Sequence, residues 1–167
     1  MRSTKTILVR FLERRGELHE LIKELSTRKT RTGKIFSQMN TMLEAHFRNE
    51  GVTIVPLVKL LEKRLEGNEE NAEEAKKAMI AGRKYKQISE AMDKEHREME
   101  RLCKSIQEIL KYEPDEKESY AAEQLLSLIN LEDKFVYAMA NYYNDTLKLN
   151  EFVSSLDGFD FFVRVVP

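Results

Sequence analysis

The sequence predicts an all-α protein, an up-down-up-down four-helix bundle with long helices, and three observations carry that expectation. Apolar residues recur at three- and four-residue steps through four segments, which is the mark of amphipathic helices. Breakers are sparse, with six Gly and three Pro in 167 residues. The charged residues, 34% of the chain, are dominated by Glu, Lys and Arg, which are good helix formers. A chain of this length can bury a sizeable core as one domain, so residues 1–167 are expected to form a single unit.

The first helix is expected from about Ser3 to Arg28, with Leu8, Leu12, His19 and Ile22 on one face and Phe11, Leu18 and Leu25 beside them. Gly33 separates it from the second, which reads Ile35, Met39, Met42, His46, Glu50, Ile54, Leu57 and Leu61, with an irregularity expected where Gly51 and Pro56 interrupt it. Gly67-Asn68 marks its end. A charged stretch, Glu69 to Lys77, leads into the third helix, whose inward set is Tyr85, Ile88, Met92, His96, Met99, Cys103 and Ile106, with Gly82 a candidate break. Tyr112-Glu113-Pro114-Asp115 stops that helix and starts the fourth, Pro being tolerated at the first helical position. The fourth reads Ala121, Leu125, Leu128, Glu132, Phe135, Met139 and Tyr142. The apolar tail, residues 157–167, is expected to fold back on the bundle or to provide a subunit contact in a homo-oligomer.

Composition narrows the function. With 28 Lys and Arg against 29 Asp and Glu the net charge is −1, so the chain has no electrostatic footprint for nucleic acid. No apolar run approaches the roughly 20 residues that cross a bilayer, and the N-terminal apolar run is too short for a signal peptide. The expected setting is cytoplasmic, with no membrane or nucleic-acid partner. The lone Cys103 sits on an apolar stripe and is read as a packing residue. The Met residues at helical spacing are read as core fillers, and the Tyr residues as amphipathic core-edge groups.

Against this background the histidines stand out. All three, His19, His46 and His96, fall on apolar faces of three different helices, and Glu50 lies one turn after His46 on the same face. An isolated buried carboxylate costs several kcal/mol, so buried charges are paired or bound to metal. A metal ion would serve them all. The helices also repeat as pairs: Glu132 answers Glu50, and Glu17-Leu18-His19-Glu20 answers Lys94-Glu95-His96-Arg97. Leu128 then takes the place that the repeat would give to a fourth histidine. The candidate metal ligands are His19, His46, Glu50, His96 and Glu132. Asp133 is the alternative to Glu132, disfavoured because Glu132 shares a face with Leu125, Leu128, Phe135 and Met139 while Asp133 lies about 100° round the helix from that acid.

The order of one inward His, then His-x-x-x-Glu with Pro56 ten residues after the His, then Glu-His, then an acidic pair before an aromatic resembles the hemerythrin-like family of cation-binding domains, over about Leu12 to Ala140. The resemblance implies a four-helix bundle holding iron, as one or two ions, with the five residues above matching family ligands. It also implies binding or sensing of dioxygen, nitric oxide or iron. The chain departs from the family at Leu128 and at Met92, where family members carry further histidines. Imidazole and carboxylate donors suit Fe, Mn or Zn. Two rival functions follow. One is a metal-free member of the same fold acting as a helical interaction or scaffold module. The other is a di-iron oxidase, which ranks below because such enzymes place Glu-x-x-His on two helices and the candidate site has no such sequence.

Overall fold

The computed structural model describes residues 7–68 and 71–137. Met139, Tyr142 and the tail at 157–167 lie outside the described residues. The described chain is helical, with α1 at Ile7–Ser26, α2 at Arg31–Leu65, α3 at Ala72–Leu110 and α4 at Glu116–Leu131, and no strand among the described residues. A single π-helical turn, Glu132–Val136, continues α4.

The helix ends are set by side chains. Thr30 caps α2 through its Oγ1, which accepts the Gly33 N–H at 2.9 Å. Asn71 caps α3 by accepting the Glu74 N–H at 2.8 Å, and Asp115 caps α4 by accepting the Glu118 N–H at 2.9 Å. Each satisfies an amide that helix geometry would otherwise leave open, a gain of about 1 kcal/mol per cap. At the other end of α2, Gly67 adopts a positive φ of 72°. The Asn68 N–H then reaches the Lys63 carbonyl at 3.0 Å and the Gly67 N–H reaches the Arg64 carbonyl at 3.1 Å, closing a Schellman motif.

Several expected breaks are absent. Gly33 lies inside the first turn of α2, where it is needed for another reason: a Cβ there would sit 2.1 Å from the Arg28 carbonyl oxygen. Gly51 and Pro56 lie within an unbroken α2, and Gly82 within an unbroken α3. Pro56 deprives the Val52 carbonyl of its helical donor, and Val52 is 51% exposed, a site where water can replace the donor. Pro114 precedes the Asp115 cap of α4 instead of occupying the first helical position.

The described residues fall into two compact units. Arg14–Glu50 and Ile88–Asn130 make one of them. It buries Leu18, Ile22 and Leu25 from α1, Phe36, Met39 and Leu43 from α2, Met92, Met99, Cys103 and Ile106 from α3, and Ala121, Leu125, Leu128 and Ile129 from α4. The other unit is built around Gly51–Gln87 with the described parts of the chain up to Glu13 and from Leu131. It buries Phe11, Ile54, Leu57, Leu60, Ala81, Tyr85 and Tyr137, the last two with ring centroids 5.6 Å apart. No described helix is long and apolar enough to cross a membrane.

Burial pushes the Cys103 thiol up to about 12, helped by the nearby Glu100 charge. The thiolate is the reactive form, so the native protein is expected to leave a disulfide reagent such as DTNB unreacted at pH 8. One thiol per chain should appear only in denaturant, and rapid native labelling would contradict the buried placement.

Candidate metal centre

The candidate site begins with a spacing. His46 and Glu50 are one turn apart on α2, and both are fully buried. Their side chains meet, with His46 Nε2 3.3 Å from Glu50 Oε1. From α3, His96 brings its Nε2 to 3.0 Å from the Nε2 of His46, the two rings tilted by 50° with centroids 4.7 Å apart. Glu132, 1% exposed, joins them. Each of the four offers one ligand atom, and these atoms all lie within 4.8 Å of one another.

The tautomer of His46 is set from outside the group. Its Nδ1 is 2.7 Å from Glu95 Oε2. An ionised carboxylate only accepts, so Nδ1 carries the proton and donates it to Glu95. In a neutral ring the Nε2 lone pair is then aimed at the region where His96 Nε2 and Glu50 Oε1 also point. Two ring nitrogens 3.0 Å apart have either a hydrogen or a metal between them, the first being a His96 Nε2–H given to His46 Nε2. An imidazole that donates its second ring N–H to a carboxylate while offering the other nitrogen inward is the arrangement metal-bound histidines adopt. The spacing agrees as well. Two nitrogens bound at about 2.1 Å to one ion lie about 3.0 to 3.4 Å apart between right-angle and tetrahedral geometry, and the 3.0 Å found is at the short end of that range and is equally a hydrogen-bond length. Two imidazoles with carboxylate oxygens form the donor set of non-haem iron sites, and they also suit Mn or Zn.

The first helix departs from expectation. His19 is only partly buried, and its Nε2 lies 3.0 Å from Asn40 Oδ1, with the ring edge-on to Phe47 at 5.4 Å. It lies outside the four-residue group. One turn earlier on α1, Arg15 points its guanidinium at Glu50 instead, forming an ion pair through Nη1 and Oε2. The guanidinium also sits 4.5 Å above the Phe47 ring. The physical reason is position and reach. Arg15 continues the buried series Phe11, Leu18, Ile22 and Leu25 at helical spacing, and its long stem carries charge to the buried acid while the stem itself is covered. His19 directly follows buried Leu18, about 100° round the helix from it, and lies at the edge of that stripe.

Two functional residues were therefore missed in the sequence, Arg15 and Glu95. Arg15 had a signal, because it is a charged residue at an apolar-stripe position. Glu95 had only its place beside His96. For the acidic pair on the last helix, Glu132 is buried and in the group, while Asp133 is partly exposed. Leu128 and Met92, where the resemblance places further histidines, are both buried apolar residues.

Comparison with protein-family models, with curated proteins and with solved structures found no match to this chain.

Proposed function

We propose that this chain is a non-haem metal-binding protein of the hemerythrin-like kind, holding iron, with Mn or Zn as substitutes, through His46, His96, Glu50 and Glu132. The observation that carries the reading is the orientation of His46, with Nδ1–H given to Glu95 and Nε2 turned inward toward His96 and Glu50. The up-down-up-down four-helix bundle belongs to the same proposal. So do a cytoplasmic setting, binding or sensing of dioxygen or another small ligand in place of catalysis, and a homo-oligomer formed through the apolar tail, which lies outside the described residues. When bound, the metal would supply a Lewis-acidic centre with open coordination positions. The chain's own residues supply two imidazole nitrogens and carboxylate oxygens, with the buried apolar residues Met92, Met99 and Leu128 within one turn of His96 or Glu132 along the sequence.

The experiment is reconstitution. Protein stripped by chelator and then supplied with Fe(II) without oxygen is expected to retain iron through desalting, and to develop absorption bands on exposure to air. Protein that retains no Fe(II), Mn(II) or Zn(II) overturns the reading.

A second reading has an observation of its own. The Arg15–Glu50 pair already offsets one buried negative charge without metal. On that ground the chain is a helical interaction or scaffold module whose buried polar group is closed by the protein itself. This reading expects identical melting curves with chelator and with metal.

A further inference from the structure

Glu50 has two oxygens, and the structure gives them different partners. Oε1 faces the imidazole side, 3.3 Å from His46 Nε2. Oε2 faces α1 and is held by the Arg15 guanidinium. A carboxylate that bridges two cations has this arrangement, one cation per oxygen. We infer that Arg15 is the resident second cation of the site, so that the centre holds one divalent ion on the Oε1 side while the guanidinium occupies the Oε2 side. The inference rests on the metal-binding reading above and assigns its nuclearity.

Three observations support it. First, the one histidine of α1, His19, is turned to Asn40, so α1 offers the Oε2 side a guanidinium and no imidazole among the described residues. Second, Arg15 is fixed: its side chain is 11% exposed and its charge lies over the face of Phe47, a favourable cation–π placement. Third, the charges balance. As carboxylates, Glu50, Glu132 and the hydrogen-bonded Glu95 would bring three negative charges, which one divalent ion and one guanidinium would match. A second divalent ion would leave a surplus of positive charge in a buried place, where uncompensated charge is costly.

The guanidinium also competes with the ion it accompanies, because two cations on one carboxylate repel each other. Removing its charge without removing its bulk should therefore tighten metal binding. Arg15→Met keeps an unbranched stem against Phe47 and loses the charge, and Arg15→Lys keeps a cation. The test measures Fe(II) stoichiometry and affinity under anaerobic conditions for wild type and both variants, with melting curves in chelator and in excess Fe(II). Wild type is expected to take one ion per chain. Arg15→Met is expected to bind Fe(II) at least about tenfold more tightly, to melt lower than wild type in chelator, and to regain that loss when Fe(II) is added. Arg15→Lys should stay close to wild type. If Arg15→Met does not fold in chelator, Arg15→Gln carries the same expectation.

Two ions in the wild-type protein would overturn the inference while leaving the metal reading intact, as would an Arg15→Met affinity equal to or weaker than that of wild type. A melting loss in Arg15→Met that Fe(II) does not restore would overturn it too, because Arg15 would then be a structural ion-pair partner alone. Failure of all three proteins to bind Fe(II) is the separate outcome that removes the metal reading, and the inference with it.

Discussion

Replacing Glu50 with Ala is expected to destabilise the protein by roughly 3 kcal/mol or more and to abolish metal retention at the same time. The stability loss comes from what is left behind. With the carboxylate gone, the Arg15 guanidinium stays in a largely covered place without the Glu50 charge, and breaking a buried pair from one side typically costs about 3–5 kcal/mol. The fully buried position also loses side-chain volume that its neighbours can recover only in part. For a chain of this size each kcal/mol moves the melting temperature by about 2–4 °C, so a drop on the order of 10 °C is expected in chelator. Glu50→Gln keeps the shape and an oxygen for Arg15 to donate to, and should recover much of that loss without recovering metal. Thermal melts of the two variants in chelator check the first claim, and metal analysis checks the second. A Glu50→Ala protein that melts within a degree of wild type would show that the Arg15 charge is not confined as described.

Changing Glu95 to Gln is expected to act almost wholly on affinity. Its carboxylate lies beyond the four-residue group and is 28% exposed, yet it receives the Nδ1–H of His46 at 2.7 Å. Through that bond it orients the ring. Loss of such an outer partner usually weakens metal binding about 10- to 100-fold. Because a Gln amide oxygen still accepts the hydrogen bond, the metal-free melting temperature should stay within a few degrees of wild type. Competition titration against a chromophoric chelator measures the affinity. An unchanged value would mean that His46 is not oriented from Glu95, and the observation on which the functional reading stands would lose its force.

The fold and the site were legible in the sequence to different depths. Helical periodicity placed four helices, with Met92, His96, Met99 and Cys103 of α3, Leu125 and Leu128 of α4 and Glu132 in the turn that continues it on the buried side, as they are found. Breakers were read too strongly. Gly33, Gly51, Pro56 and Gly82 each carry a local penalty, but the apolar stripe continues through them, and tertiary burial outweighs intrinsic propensity. At the site, period alone brought His46, Glu50, His96 and Glu132 to the right faces. On α1 it could not rank two polar residues one turn apart. A shorter side chain such as His19 must sit squarely on the stripe to reach inward, whereas Arg15 reaches by length. Glu95 was out of range of any single-helix pattern, because its bond to His46 joins α3 to α2 across 49 positions of the sequence.

The turn from Glu132 to Val136 widens the helix by one residue per turn relative to its neighbours. That surplus residue acts as a phase correction. It lets Glu132 keep the bearing set by Leu125 and Leu128 while Tyr137, five positions on, is brought round to rest against Tyr85. In an uninterrupted α-helix the same tyrosine would be swung by about 100°, and the phenol ring would leave its partner. The acid and the aromatic are thus aimed independently along one rod, at the expense of a single irregular hydrogen-bonded loop.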